Sequence, residues 1–317
     1  MNEIISTVYA EGALLIMWGA LLLHYILPIP RASHPAILWH KFAEVLADKV
    51  NTNNNYSQSI ISGTLAWLLM IIPALLFCIA LKPLVWQPQL YELALLILAL
   101  DWRNNGQLAN KLGKALAKED KVGARKLLEP FVNRETSTLS TVGLGKAGAE
   151  TIIIGYGRNV AAVLFWYALL GATGAFIYRL MAELARAWSP SRSQFNPFGL
   201  PIVRTIAILD FLPLRLFSLF ITLGNNSGKA LQTIKTQSRS WPLPGPAWLL
   251  CAIGGKLELA LGGPAIYGEQ KVVRAKIGGR IVPSALHLSQ IHSLIAWRLF
   301  LWIFIESLLL LVIHKGI

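Results

Sequence analysis

The polar cluster at residues 133–136 is where this apolar chain first offers residue types that could do chemistry. Arg134, Glu135 and Thr136 supply a cation, a carboxylate and a hydroxyl at consecutive positions, and Glu150 follows after a glycine-rich stretch. Polar groups at the mouth of a helical bundle can hold an anionic or amide-rich ligand. The pattern predicts a binding or catalytic site, although a solvated charged face above a packed core would produce the same pattern.

The octet LGGPAIYG at residues 261–268 contains three glycines and a proline, and predicts a turn of defined shape. Backbone N–H groups at Gly262 and Gly263 could approach a substrate or phosphate, and a purely structural turn is the alternative. Just before it, Lys256 and Glu258 cannot comfortably face hydrocarbon. That segment is predicted to be either a short re-entrant element that faces protein or an amphipathic surface helix, with the octet as its exit turn.

Asp210 and Arg215 lie five residues apart on an apolar segment, where an ionisable group is costly unless it is matched. They are predicted to form an ion pair inside a bundle or to contact a ligand.

The elements that must position these residues are mostly apolar helices. The chain has 317 residues, of which 55% are hydrophobic and 14% charged, so lipid surrounds much of it. Runs of about 20 apolar residues predict membrane spans. The fold class is therefore all-α, a polytopic helical membrane protein with five to six spans. The candidate spans are residues 12–27, 60–81, 84–100, 160–178, 201–223 and 294–313.

The net charge of +13 is better explained by basic loops on the cytoplasmic side than by nucleic-acid binding. Residues 101–158 and 225–293 carry many of the lysines and arginines. If all six runs cross, both segments and residues 30–59 share the inner side. The N-terminus lacks a basic region, so we expect no cleaved signal peptide. Cys78 and Cys251 lie in apolar runs and predict neither a disulfide nor a metal site.

Three regions are predicted: 1–100 with N-terminal spans and the polar loop 31–59, a basic cytoplasmic insert at 101–158, and 159–317 with C-terminal spans. Helical spacing of apolar residues in the insert predicts an amphipathic helical pair. These residues are Leu108, Leu112, Leu116, Val122, Leu127 and Leu128.

Five segments in order resemble the CobD/CbiB family, the membrane adenosylcobinamide-phosphate synthases, with AmpE-like inner-membrane proteins as relatives. The segments are SHPAILWHKFAEVLADKVN, ALAKEDKVGARKLLEPFVNRETSTLS, AGAETIII with VLFWYALLGATGAFIYRL, FGLPIVRTIAILDFLPLRL, and LALGGPAIYGE. The resemblance implies ATP-dependent amide formation between an amino-alcohol, usually its phosphate, and adenosylcobyric acid at a bacterial inner membrane. It implies ATP and Mg²⁺ as cofactors and the lipid bilayer as surroundings. A homo-oligomer is compatible with the sequence.

The resemblance also assigns site residues. We expect Glu135 and Glu150 to be catalytic carboxylates, with metal ligands unassigned. The residues expected to bind substrate are His34, Arg134, Thr136, Arg215, Gly262, Gly263 and Tyr267. His34 belongs to the family's HP dipeptide, for which a helix-entry role is equally suitable.

Several of the family's acidic positions are not acidic here. His24 and Ile29 replace the aspartates of a DLLLGDP-like pattern, and Ile206 and Ala207 replace a pair of aspartates. Because carboxylates hold Mg²⁺ and orient ATP, their loss weakens the prediction of catalysis more than the prediction of fold. Two hypotheses follow: the ligase, or a non-catalytic AmpE-like relative with a corrinoid-binding, regulatory or assembly role.

Overall fold

The computed structural model describes residues 12–27, 35–52, 55–268 and 270–313. The described chain is predominantly helical, as predicted, with one β-hairpin. Its elements, in chain order, are α1 (Ala13–Ile26), α2 (Pro35–Val50), α3 (Tyr56–Leu81), α4 (Pro88–Ala99), α5 (Trp102–Ala117), α6 (Lys121–Leu128), α7 (Thr141–Tyr156), α8 (Ala162–Ala187), α9 (Leu200–Thr222), α10 (Ser227–Gln237), α11 (Pro244–Lys256), β1 (Ala260–Tyr267), β2 (Gln270–Gly278) and α12 (Ala285–Ile313).

Four helical stretches among the described residues are long and apolar enough to cross a membrane: Tyr56–Leu84, Thr141–Ala187, Leu200–Thr222 and Ala285–Val312. They account for four of the six predicted spans. The other two correspond to α1 and α4, which have 14 and 12 residues. Since a bilayer crossing takes about 20 helical residues, these two helices are short for upright spans.

The stretch Thr141–Ala187 is not one straight rod. A π-helical segment, Gly157–Ala161, joins α7 to α8. Within α8, Gly171 has φ 67° and ψ −171°, so two helical segments meet there at a break. Beyond the break, Arg186 Nη2 donates to Pro130 O at 2.9 Å and Asn133 Nδ2 donates to Arg186 O at 3.1 Å. The end of α8 therefore lies beside the segment that precedes α7, which a single crossing at residues 160–178 would not produce.

The predicted amphipathic pair is confirmed as α5 and α6. Leu108, Leu112 and Leu116 of α5 and Leu128 of α6 are buried, and Asp120 caps α6 by accepting from Gly123 N–H. Val122 is the exception, because it is 61% exposed. The three-region division and the side on which each loop lies stay predictions.

The predicted exit turn at residues 261–268 is wrong, because these residues form most of strand β1. β1 pairs antiparallel with β2, and the register shifts between Gly262 and Pro264. Nearly all residues of the preceding helix α11 are buried, so the predicted amphipathic surface helix is wrong, whereas the alternative of an element that faces protein agrees with this burial. Lys256 is buried with it, and its Nζ donates to Leu223 O and Asn225 O at 2.7 and 2.8 Å. A lysine that satisfies helix-end carbonyls can be buried without an acidic partner.

Candidate functional site

Glu150 is the centre of a buried charged cluster on α7. Ser140 caps this helix by accepting from Gly143 N–H at 3.2 Å. Helix α7 packs against α5 and α12 and also contacts β1. Glu150 lies at the contact with β1. The residue is 3% exposed.

Three groups saturate the Glu150 carboxylate. Arg134 Nη2 lies 2.5 Å from Oε2. Arg274 donates through Nη1 to Oε2 at 2.9 Å and through Nη2 to Oε1 at 3.3 Å. The Gly262 N–H donates to Oε1 at 2.8 Å. A buried carboxylate is tolerated only with such partners, so Glu150 fastens the loop, the hairpin and α7 to one another.

The arginines are themselves held in place. Arg274 Nε donates to Gly263 O at 3.3 Å, and its guanidinium carbon lies 5.2 Å from the ring centre of Trp241. Arg134 belongs to a segment attached to the hairpin, because Glu135 N donates to Ile266 O at 2.8 Å. Backbone contacts of this kind fix where both guanidinium groups point.

The cluster carries more positive than negative charge. Two guanidinium groups face one buried carboxylate. Lys146 Nζ is also close, 3.9 Å from where a β-carbon on Gly263 would lie. An excess of cations beside backbone N–H groups favours anionic ligands such as carboxylates and phosphates.

Glu135 and Thr136 border the cluster in different surroundings. Thr136 is buried and 6% exposed. The Glu135 side chain is exposed and accepts from Ser137 N–H at 3.0 Å. Hydrogen bonds from Ser137, first from its backbone, lower the pKa of Glu135 below its usual value. Glu135 therefore presents an ionised, accessible carboxylate on the same segment as Arg134.

Some predicted site residues lie elsewhere. Arg215 lies on α9, with its guanidinium carbon 3.7 Å from the ring centre of Phe211 and 4.7 Å from that of Trp248. Tyr267 pairs with Gln270 and lies five residues beyond Gly262 along β1. At roughly 3.3 Å per strand residue, Tyr267 is about 16 Å from Gly262. His34 lies outside the described residues. The structure therefore brings together Arg134, Glu135, Thr136, Glu150, Gly262 and Gly263. Tyr267 follows Ile266, the hydrogen-bond partner of Glu135, and is distant from Gly262, whereas Arg215 lies elsewhere.

The predicted pairing of Asp210 with Arg215 is wrong. Asp210 is fully buried and pairs with Arg158, whose Nε donates to Oδ2 at 2.7 Å. Tyr178 O–H donates to the other oxygen at 2.7 Å. Residues five apart on a helix point about 140° apart, whereas Arg158 reaches Asp210 from the π-helical segment between α7 and α8.

Sequence reasoning missed two functional candidates. Arg274 was missed because its strand was not foreseen, although the alternation in QKVVRAKIG could have indicated one. A second buried group centres on Arg179, which lies 2.7 Å from Glu183 and 3.5 Å from Asp101. The i,i+4 spacing of Arg179 and Glu183 was a visible signal.

The described residues do not fit a preformed Mg²⁺ site. No group of three or more His, Cys, Asp or Glu side chains among them could hold a metal ion. Both oxygens of Glu150 already accept hydrogen bonds from cations or a backbone N–H. Since Mg²⁺ takes oxygen ligands, usually one or two carboxylates with waters and phosphates, Glu150 in this arrangement does not serve as one.

Comparison with known proteins places these observations in a family. Residues 17–295 match the CobD/Cbib protein family. The cobalamin biosynthesis protein CobD of Stutzerimonas stutzeri is 30% identical over 289 residues, covering 90% of this chain and 94% of that protein. Proteins of the same name from Chromobacterium violaceum and Brucella anthropi are 31% and 26% identical, covering 76% and 83% of this chain and 77% and 85% of their own lengths. No solved structure gives a significant match. This chain belongs to the CobD/CbiB family.

Proposed function

We propose that this chain acts in cobalamin biosynthesis at a bacterial inner membrane. There it joins an amino-alcohol, or its O-phosphate, to the propionate carboxylate of adenosylcobyric acid, using ATP. The family supports the pathway, and the helices that are long and apolar enough to cross a membrane support the location.

The observation that carries the proposal is the convergence on Glu150. Three segments that resemble the family come together there. They are distant in sequence, since the Glu150–Gly262 hydrogen bond joins residues 112 positions apart. They contribute Arg134, Glu150 and Gly262. A convergence of distant, chemically capable residues is more informative about a site than any of the segments alone.

The charge of the cluster suits the substrates of this reaction. A corrinoid carboxylate and an amino-alcohol phosphate are both anionic, and Arg134, Arg274 and Lys146 offer positive charge. Glu135, with its lowered pKa, is a poor proton acceptor but a good partner for the substrate ammonium. We assign Glu150 a positioning role, because its oxygens hold both arginines.

The bond changes are those of an acid-amine ligase. With ATP bound, a carboxylate oxygen of the corrinoid would attack the γ-phosphorus, forming an acyl phosphate and releasing ADP. The amine nitrogen then attacks the acyl carbon, the phosphate leaves with that oxygen, and the amine loses a proton to solvent. Within the chain, the arginines orient the anionic groups and limit their movement.

The test is turnover by purified protein in nanodiscs with adenosylcobyric acid, aminopropanol phosphate, ATP and Mg²⁺, following product mass and phosphate release. We expect amide product, and a raised KM in Lys146→Gln, which leaves the buried Glu150 pairs intact. Folded protein that gives no product beside an active family member would refute the ligase proposal.

A non-catalytic role is the second candidate, because no metal-binding cluster occurs among the described residues. A protein of this kind would bind a corrinoid or a protein partner without turnover. Corrinoid binding without product, measured by tryptophan quenching, would support it.

A further inference from the structure

A cleft along α12 lies apart from the Glu150 cluster. It has a volume of about 450 Å³ and is lined by Gln290, Ser293, Leu294, Trp297 and Arg298. The spacing of three and four residues places these side chains on one face of the helix. From Arg298 to Ile313 the only other ionisable residue is Glu306. The cleft therefore lies where α12 passes from a polar to an apolar sequence.

The positive charge of Arg298 has no acidic partner among the residues that the structure describes. Its Nη2 donates to Leu223 O at 2.5 Å, and none of the ion pairs in this part of the chain includes it. Lys256 Nζ lies at the same end of α9 and also donates to carbonyl oxygens. The C-terminus of α9 carries about half a negative charge, whereas Arg298 and Lys256 together carry two full positive charges. The site therefore has an excess of positive charge.

The surroundings of Arg298 are those of a membrane interface. Trp297 is 72% exposed, and Phe300, one turn further along, is 58% exposed. Tryptophan is enriched at the level of lipid headgroups, and the long side chain of an arginine can extend to that level and reach phosphate oxygens. A guanidinium group can bind a phosphate through two parallel hydrogen bonds.

We propose that this cleft binds the headgroup of an anionic phospholipid. Arg298 holds the phosphate, Ser293 and Gln290 hydrogen-bond to the polar headgroup, and Trp297 packs against the glycerol and the start of an acyl chain. The occupant is a lipid rather than a free anion because the exposed aromatic surface continues from Arg298 along the apolar part of α12. A free phosphate would leave that surface without a partner.

The test is thermal unfolding of the full chain in a nonionic detergent after lipid removal. We expect phosphatidylglycerol at about 100-fold above its Kd to raise Tm by roughly 5 °C or more relative to phosphatidylcholine. Arg298→Gln should abolish this difference. Arg204→Gln, at an exposed arginine of α9, should preserve it.

A second variant separates lipid binding from folding, because Arg298 also holds Leu223. Ser293→Leu fills the cleft without removing that hydrogen bond, and it should also abolish the phosphatidylglycerol effect. Equal effects of both lipids on the unmodified chain would overturn the proposal. So would an equal effect of inorganic phosphate, or a full lipid effect in both Arg298→Gln and Ser293→Leu.

Discussion

Glu150 links three segments through a single side chain, so its charge is expected to contribute first to the stability of the fold. Glu150→Gln leaves Arg134 and Arg274 buried without a counter-charge. Breaking a buried ion pair from one side costs about 3–5 kcal/mol. We expect a loss of that order in the free energy of unfolding, measured by denaturant titration in detergent.

A matched control makes this result specific. Glu258 forms an ion pair with Lys229 in which both side chains are about half exposed. Because exposed pairs contribute about 0–1 kcal/mol, Glu258→Gln should change stability little. Equal losses in the two variants would show that burial of Glu150 does not determine its contribution.

Glu135 allows a prediction about substrate rather than stability, because its carboxylate is exposed. If it holds the ammonium of the amino-alcohol, Glu135→Gln should raise the KM for the amine several-fold while kcat changes less. Steady-state kinetics with varied amine would measure this. Glu129→Gln, at an exposed acid six residues earlier, should leave both constants unchanged. A fall in kcat without a change in KM would contradict the binding role.

At the scale of elements, the hairpin depends on a glycine at its irregular point. Gly262 has φ 76°, and a β-carbon there would overlap the carbonyl oxygen of Ala275. Gly262→Ala should therefore distort the strand pairing and move the N–H that binds Glu150. Placing an alanine at a positive φ costs ~1 kcal/mol by itself, and we expect Gly262→Ala to lower the free energy of unfolding by more than that. We also expect loss of turnover. Gly268→Ala, also at positive φ but with open space around it, should cost only that smaller amount.

The hairpin also shows where sequence reasoning stopped. The glycines and proline of residues 261–268 correctly exclude a mid-helix position, but the turn that they predict does not form. In β1 they instead permit a register shift and a close approach between strands. Strand formation there depends on pairing with β2 and packing against α11, which are non-local contacts that propensity does not report. The apolar helices were predictable because their period and length are local properties.

The contact of α2 with α8 gives a prediction about pH. Burial first, and then the Arg186 guanidinium, lower the pKa of His40 below 6.5, with Arg192 acting in the same direction and Glu44 and Glu183 opposing. The unfolded chain therefore binds this proton more readily than the folded chain. Stability from His40 is complete above about pH 6.5 and is lost as the pH falls through the folded pKa. The difference between the Tm values at pH 8 and pH 5 should be smaller in His40→Gln than in the unmodified chain. An unchanged difference would exclude His40 as the cause.

At the scale of the whole molecule, the path of the chain differs from the one that a count of apolar runs predicts. If α8 and α9 both cross the membrane, the two basic segments are expected to share a side whether or not α4 crosses. What composition could not predict is the break at Gly171. Glycine is common in membrane helices, and only the contacts of Arg186 with Pro130 and Asn133 reveal that the chain turns back.

The turn at Gly171 predicts which side residues 188–199 occupy. If α8 enters the membrane and returns, Ser193 lies on the same side as Lys126, whereas a full crossing would place them on opposite sides. Cys78 and Cys251 are buried, so background labelling should be low. Ser193→Cys and Lys126→Cys should react with a membrane-impermeant maleimide from the same side of sealed, oriented vesicles. Labelling of Ser193→Cys from the opposite side alone would mean that α8 crosses completely and that its contacts with the insert do not form in the membrane.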